Sequence, residues 1–267
     1  MTATITDKTY KRLAILVSLN GFSYCCFDTI LDKIIKLKSV PLYHFQQSST
    51  IEMLFEDVFR DNPELLSKYD DITIIHSNNL NTFVPKALFD KEFMGSYLQY
   101  NTKVFETDFF DFDSIEHYEM NNVYIPYVNM NNFFIDKFGS FEYKHSATVL
   151  VSKLLDLSKN NDERKMFVYV NQTHFEIIVV QNQKLLLYNS FDYNTKEDFL
   201  YYILFTAEQL QLNPENFKLE LLGNITQESE LYEIAYTYIR HVSLFDVKNN
   251  NTLTFLENRT HFILINS

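Results

Sequence analysis

The stretch that decides the fold is residues 166–209, MFVYVNQTHFEIIVVQNQKLLLYNSFDYNTKEDFLYYILFTAEQ. Its apolar and aromatic runs are separated by short polar segments, which is typical of antiparallel strands joined by tight turns. Thr195, followed three residues later by Asp198, predicts the start of a helix, because the threonine side chain can accept from an amide of the first helical turn. The predicted strands are residues 166–171, 175–180 and 185–191. The stretch is therefore three strands followed by a helix.

A similar unit begins the chain. Its predicted strands are residues 13–18, 22–28 and 33–41, with Asn20-Gly21 as the first hairpin turn. Phe22 and Phe175 lie 153 positions apart (175 − 22), and Asn-Pro-Glu recurs at 62–64 and 213–215, 151 positions apart (213 − 62). A nearly constant offset indicates an internal duplication. Chance recurrence is the alternative, since Asn-Pro-Glu is a common tripeptide at helix boundaries.

The segment between the two units gives two expectations. Residues 82–89, TFVPKALF, predict a helix that has Pro85 in its first turn and runs to about Tyr100. Residues 103–117 are acidic and aromatic, but they lack the ordered spacing and the glycine of a calcium-binding loop. We therefore expect an exposed connection there, with its aromatic side chains turned inward.

Two further elements and a boundary follow from local patterns. Ser146 is the predicted cap of a helix that extends to about Leu157. The polar run at residues 158–165 is the best candidate for a domain boundary. Residues 261–266, HFILIN, form a short apolar run and predict a buried strand at the end of the sequence.

Composition and charge exclude several classes of protein. The 267 residues are 46% hydrophobic, which is ample for a sizeable core. A net charge of −12 repels phosphate backbones, so nucleic acid is not an expected partner. No run approaches the ~18 apolar residues of a membrane helix, so direct membrane insertion is not expected. The adjacent Cys25 and Cys26 give no disulfide, zinc or redox spacing, which favours a reducing, cytoplasmic compartment.

Five segments carry a resemblance to a known family: TFVPKALF (82–89), NNVYIPYVNMNN (121–132), FEYKHSATVLVSKLL (141–155), YNSFDYNTKEDFLYYILF (188–205) and LLGNITQESELYEIAYTYI (221–239). In them the chain resembles a family of uncharacterised bacterial proteins within the actin-like ATPase superfamily. In size it is similar to the type IV pilus and type II secretion assembly members. The resemblance implies an α/β chain with mixed sheets in a duplicated actin-like (ribonuclease H-like) fold of two lobes. These are residues 1–160, with an insertion at about 80–120, and residues 161–267.

In that superfamily, two hairpin turns of Asp-x-Gly type present themselves to the ATP phosphates and metal, and a late glycine pair admits the adenosine. Here the first turn reads Ser18-Leu19-Asn20-Gly21, with serine in place of the carboxylate. The second reads Asn171-Gln172-Thr173-His174, and the late position keeps a single glycine. No catalytic residue and no metal ligand is predicted. The candidates for a vestigial nucleotide cleft are Ser18, Asn20, Gly21, Asn171, Thr173, Gly223 and Asn224.

Three hypotheses of function result. The first is a catalytically inactive actin-like protein that binds protein partners in the cytoplasm and needs no cofactor; binding of ATP without metal stays open. The alternative is a nucleotide-dependent ATPase or kinase with a divergent site, in which Asp28, Asp192 or Asp198 supplies the missing carboxylate. The third is an assembly scaffold that self-associates. The aromatic run at 199–205 is predicted to pack its helix, with an interaction surface as the alternative.

Overall fold

The computed structural model describes residues 8–42, 50–159, 162–246 and 253–267. The elements of the first half are, in order, β1 (Lys11–Val17), β2 (Gly21–Asp28), β3 (Lys33–Pro41), α1 (Ile51–Asp61), β4 (Asp71–His76), β5 (Asn81–Pro85), α2 (Met94–Leu98), β6 (Asp111–Ile115), β7 (Met120–Tyr124), α3 (Val128–Phe138), β8 (Glu142–His145) and α4 (Ser146–Leu157). The elements of the second half are β9 (Lys165–Val170), β10 (His174–Gln181), β11 (Lys184–Asp192), α5 (Lys196–Gln209), β12 (Lys218–Gly223), α6 (Glu230–Tyr238), β13 (His241–Leu244), α7 (Phe255–Thr260) and α8 (Phe262–Ile265).

Two five-stranded mixed sheets form the frame of the molecule. The first has the strand order β3-β2-β1-β4-β8 and the second has the order β11-β10-β9-β12-β13. In each sheet, three antiparallel strands joined by hairpins are followed by two parallel strands reached through helical connections. The two sheets therefore repeat one topology, which confirms the predicted α/β class and the duplicated, two-lobed fold.

The duplication extends to irregularities of the strands. The register between β2 and β3 shifts at Cys26/Phe27, and the register between β10 and β11 shifts at Val179/Val180. These shifts lie 153 positions apart (179 − 26), the same offset as that of the two phenylalanines in the sequence comparison. A β-bulge bends its strand and increases the local twist. Both hairpins are therefore bent at the same point.

Each sheet carries an outer core under its own pair of helices. Helices α1 and α3 cover the first sheet, and α5 and α6 cover the second. Phe22 meets Phe55 edge-to-face with ring centroids 5.3 Å apart, and Phe175 meets Phe199 in the same way at 4.8 Å. Each outer core thus contains a ring pair between the second strand of its hairpin and its first helix.

The inner core lies between the two sheets and is built from helices that cross over. Helix α4 follows the last strand of the first sheet, but it packs against β10 and β11 of the second. Helix α8 lies near the end of the chain and packs against β1 and β2 of the first sheet. Cys25 faces this inner core and Cys26 faces the outer core, so the adjacent thiols point to opposite faces of β2 and both are free.

A three-stranded sheet of order β5-β7-β6 lies between β4 and α3, and it corrects two expectations. The predicted helix over TFVPKALF is wrong at its start, because Phe83 and Val84 belong to β5 and pair with β7. Pro85 ends that strand with extended backbone angles, and short 3₁₀ turns and α2 follow. The predicted connection at residues 103–117 contains β6, which pairs with the other side of β7. Buried Val84, Leu98 and Val123 form the small core of this sheet.

Two further predictions are corrected and one stays a prediction. His145, and not Ser146, caps α4, since its Nδ1 accepts from the Ala147 amide at 3.1 Å. The HFILIN segment is helical in α8 and not a strand; a short apolar run that is buried on all sides does not distinguish the two states. The predicted boundary at 160/161 lies outside the described residues. Within the described ranges, no helix is long and apolar enough to cross a membrane.

Candidate functional site: the cleft between the two hairpin turns

A cavity of about 620 Å³ opens between the lobes, where the turns of the two hairpins face each other. Its wall also includes the residues that follow β4 and β12 and the start of α8. This volume lies within the range of sites that hold small organic ligands. Six of the seven candidates from the sequence line it, namely Ser18, Asn20, Gly21, Asn171, Thr173 and Asn224.

The first turn joins β1 to β2 and uses its own polar groups. The Ser18 amide donates to the Gly21 carbonyl at 3.0 Å, and the Asn20 amide donates to the Ser18 hydroxyl oxygen at 3.3 Å. Gly21 has no left-handed backbone, and a Cβ there would meet only the Ser18 hydroxyl, at 3.6 Å. The Ser18 side chain thus stabilises the turn, and Gly21 is not required by close packing.

The second turn repeats this geometry between β9 and β10. The Asn171 amide donates to the His174 carbonyl at 2.9 Å, as Ser18 does to Gly21 in the first turn. The Asn171 side-chain amide lies 3.0 Å from His174 Nε2, and the Tyr193 hydroxyl donates to the Asn171 carbonyl at 3.0 Å. The side chain at the position of the superfamily carboxylate is again engaged by its own lobe.

Gly223 is the one candidate that does not line the cavity. Its φ of +89° is left-handed, and a Cβ would lie 2.3 Å from the Val170 carbonyl oxygen. The next residue, Asn224, donates its amide to that same carbonyl at 2.8 Å. Glycine is therefore needed where the end of β12 presses against β9, whatever occupies the cleft.

The cavity is almost without charge. Among the described residues that line it there is no lysine or arginine, and Asp192 is the only carboxylate. Burial lowers the pKa of His174, although Asp192 acts in the opposite direction, and burial also lowers the pKa of His261. Both histidines therefore favour the neutral form at pH 7. What the cavity offers is mainly amides, hydroxyls and aromatic rings.

The superfamily implies a Mg²⁺–ATP complex, and these residues do not fit one. Mg²⁺ prefers carboxylate oxygens, and a triphosphate needs cations or close backbone approach. The alternative hypothesis named three aspartates, and only Asp192 lies at the cavity. Asp28 accepts from the Ile30 amide at 2.9 Å, and Asp198 accepts from the Thr195 amide at 3.0 Å. Over the described part of the chain, no group of three His, Cys, Asp or Glu is placed to hold a metal ion.

Sequence reasoning missed the aromatic walls of the cavity. The Tyr127 hydroxyl donates to the Ser77 carbonyl at 3.0 Å, and the Tyr169 hydroxyl donates to the Thr260 carbonyl at 3.0 Å. Both rings therefore present apolar surface to the cavity while their hydroxyls are engaged. Tyr169 lies in the uninterrupted apolar run of β9, and no local pattern there shows which of its residues face the cleft.

Comparison with solved structures identifies the fold. A Bacteroides thetaiotaomicron VPI-5482 protein with actin-like ATPase fold and unknown function is 22% identical, with a TM-score of 0.81 over 94% of this chain and 96% of that one. A chain of the PilM-PilN type IV pilus biogenesis complex is 10% identical, with a TM-score of 0.61 over 95% of this chain and 96% of that one. At these identities the likeness shows the fold alone, which is the actin-like ATPase fold that the resemblance predicted.

The sequence comparisons identify the family. The sequence has no significant match among curated proteins. A family model matches residues 1–242, which is most of the chain. The duplicated sheets, the paired hairpin turns and this match lead to one conclusion: the chain belongs to the family described as "Protein of unknown function (DUF3822)" and has the actin-like ATPase fold.

Proposed function

We propose that this chain is a catalytically inactive actin-like protein that acts in the cytoplasm by binding protein partners. The observation that carries the proposal is the charge of the cleft: no cation and a single carboxylate, Asp192, line it among the described residues. The proposal divides the chain into two lobes: residues 1–160, which include the three-stranded insertion, and residues 161–267. Neither free nucleic acid nor direct membrane insertion is part of it.

The two turns support the absence of hydrolysis. In-line attack on a phosphate needs a positioned metal ion and groups that neutralise the developing charge. At the positions where the superfamily places carboxylates, Ser18 and Asn171 are engaged in hydrogen bonds within their own turns. Each side chain would have to break these hydrogen bonds before it could bind a ligand.

The surface of the second lobe supports a protein partner. On α5, Tyr201 and Phe205 are exposed and stacked, with centroids 6.0 Å apart. On the neighbouring α6, Tyr232 and exposed Tyr236 are stacked at the same distance. Exposed aromatic side chains are enriched at protein interfaces. The similar pilus chain belongs to a complex with a second protein.

A thermal-shift titration with ATP and Mg²⁺ tests the proposal. A ligand at 100 times its dissociation constant adds about 2.7 kcal/mol to the free energy of unfolding, so binding would be visible. We expect no stabilisation and no phosphate release from ATP. Stabilisation or hydrolysis that is lost in Asp192→Asn and kept in Asp28→Asn would instead support the divergent ATPase or kinase. Asp192 is the residue to change because it alone of the three aspartates lies at the cavity.

A second measurement concerns the scaffold hypothesis. If the protein acts by self-assembly, light scattering should show a mass that rises with protein concentration. We expect a constant mass, because the proposed partner is a different protein. The double variant Tyr201→Ser, Phe205→Ser distinguishes the two outcomes. Its mass should equal that of the wild type if the protein does not self-associate through α5.

A further inference from the structure

A buried chain of hydrogen bonds crosses from the second sheet into the small three-stranded sheet. Glu176 on β10 lies with its Oε1 3.1 Å from the Tyr188 hydroxyl of β11. The same hydroxyl lies 3.2 Å from Asn81 Oδ1 on β5. The Asn81 Nδ2 group then donates to Asn122 Oδ1 on β7 at 3.0 Å. These hydrogen bonds thus connect two sheets whose strands are distant in sequence.

The chain continues into α4 and ends on a second carboxyl group. Asn122 Nδ2 donates to the Thr148 hydroxyl at 2.9 Å, and that hydroxyl donates to Asp113 Oδ2 at 2.5 Å. Glu176, Asn81 and Asn122 are all at least 96% buried, because their exposed fractions are 2%, 4% and 0%. Bulk water therefore does not reach these three side chains.

If every hydrogen bond of this series has one donor and one acceptor, the carboxyl group at one end must be protonated. The Tyr188 hydroxyl has one hydrogen but lies within bonding distance of two acceptors, Glu176 and Asn81. If it donates to Asn81 Oδ1, every bond from there to Asp113 has one donor and one acceptor. The Tyr188 oxygen must then accept a hydrogen bond from Glu176, which requires a protonated Glu176.

The reverse direction would place the proton on Asp113, and the contacts of the two acids disfavour it. Asp113 accepts from three donors: the Thr148 hydroxyl, the His145 amide at 2.8 Å and the Tyr124 hydroxyl at 3.1 Å. Hydrogen bonds to a carboxylate favour its ionised form, so these three oppose the burial that raises the pKa of Asp113. Glu176, in contrast, has one partner within the described residues, and its Oε2 is buried without any. An ionised Glu176 would leave a buried anionic oxygen unpaired.

We propose that Glu176 is a proton-binding site whose neutral acid form donates to Tyr188 and thereby fastens the three-stranded sheet to the second lobe. When Glu176 is ionised, its carboxylate takes the Tyr188 hydrogen, and Asn81 Oδ1 loses the one donor it has among the described residues. The bond that breaks is the one that joins the second lobe to the small sheet. The protein then senses pH at the contact between these two parts, independently of whether the cleft binds a nucleotide.

The surroundings of Glu176 agree with this assignment. Burial raises its pKa to about 7, against the opposing hydrogen bond from Tyr188. The titratable groups that face it are Tyr169 from β9 and Tyr188 from β11, and burial raises the pKa of both phenols, so neither is charged near pH 7. His174 lies two residues along the same face of β10 and is partnered by Asn171. The small sheet contributes the uncharged Asn81 and Phe83.

The sign of the pH dependence follows from linkage. Glu176 has a higher pKa in the folded protein, about 7, than its ordinary value of 4.5. Below pH 4.5 Glu176 is protonated in both the folded and the unfolded protein, so no stability is lost. As the pH rises towards 7 the unfolded chain ionises first, so the folded state loses stability. His76 and His145 act in the opposite direction, since burial lowers their pKa to about 4 and about 3, so the effect must be measured as a difference between variants.

The test is the Glu176→Gln variant, whose amide can donate to Tyr188 but cannot ionise. The unfolding equilibrium constant of the wild type divided by that of the variant should rise about tenfold for each pH unit between pH 5 and pH 7, and level off above. Glu208→Gln, at an exposed position of α5, is the control and should show a constant ratio. A constant ratio for Glu176→Gln as well would overturn the proposal.

Two readouts do not depend on unfolding. The infrared difference spectrum of wild type minus Glu176→Gln at pH 6 should contain the carbonyl band of a protonated carboxyl group, and its absence would overturn the assignment. Amide exchange in β5 and β7, corrected for its intrinsic pH dependence, should become faster in the wild type between pH 6 and pH 8 and stay constant in the variant. Equal behaviour of the two proteins would show that Glu176 does not fasten the small sheet.

Discussion

Replacement of Gly223 by alanine tests whether this glycine serves the backbone or a ligand. The new Cβ would lie 2.3 Å from the Val170 carbonyl oxygen and 2.8 Å from the Val170 amide nitrogen. To reach the 3.4 Å of an ordinary contact, the oxygen must move by about 1 Å. That movement would weaken the 2.8 Å bond that it accepts from the Asn224 amide. The variant therefore strains the junction of β9 and β12 at its most crowded point.

Comparison with a second glycine gives the magnitude of the expected loss of stability. Gly139 also has a positive φ, +76°, but a Cβ there would meet nothing within 4 Å. Both variants carry backbone strain of about 1–3 kcal/mol, so strain cancels in the comparison. Gly223→Ala adds overpacking of about 1–3 kcal/mol and a lost buried hydrogen bond of about 1–3 kcal/mol. We expect it to be less stable than Gly139→Ala by about 2–6 kcal/mol.

Urea unfolding followed by circular dichroism measures this difference. Gly21→Ala is the reference without strain, since that position has ordinary backbone angles and a Cβ would meet only Ser18 at 3.6 Å. We expect it to change the free energy of unfolding by less than about 0.5 kcal/mol. The reasoning is refuted if Gly223→Ala is as stable as Gly139→Ala. If it is as stable as Gly21→Ala, the fold does not require glycine at this position.

Two other predictions concern the N-terminal cap of α5 and the buried thiol of Cys25. Thr195→Ala removes the cap of α5, in which the Asp198 amide donates to Thr195 Oγ1 at 3.1 Å, and should cost about 1 kcal/mol in thermal or urea unfolding. Thr237→Ala, at an exposed position of α6, should cost less than about 0.5 kcal/mol. Burial raises the pKa of the Cys25 thiol to about 12, so a maleimide at pH 8 should label it only after unfolding; rapid labelling of the folded protein would contradict its place in the inner core.

The sequence was most informative where local pattern and turn chemistry agree. The two hairpins, the offset of 153 and the Thr195 cap were predictable, because alternation, turn residues and capping residues all lie within a few positions of one another. Five of the six cleft residues were predictable because a hairpin turn can be located from the strands beside it; the sixth, Asn224, follows the glycine that ends β12. The resemblance to the actin-like superfamily then placed the two turns opposite each other.

The errors share a physical cause. TFVPKALF has good helix formers only after Pro85, and its first half pairs with β7, more than thirty residues later, as a strand. HFILIN contains four consecutive apolar residues, three of them buried, so no period distinguishes helix from strand. Glu176 lies in FEIIVV, and no local pattern reveals that its neighbours are Tyr188 and, across the lobes, Asn81. Such partners are fixed by tertiary structure alone.

The exchanged helices bear on how a molecule of this kind can arise. A half-length chain with one sheet and its final helix would leave the inner face of that sheet bare, because α4 lies on the second sheet and α8 on the first. Two copies could cover both faces only by trading helices, which is a domain-swapped dimer. The present chain is the covalently joined counterpart of such a pair. Joining makes the encounter of the swapped helices intramolecular, so assembly of the inner core no longer depends on protein concentration.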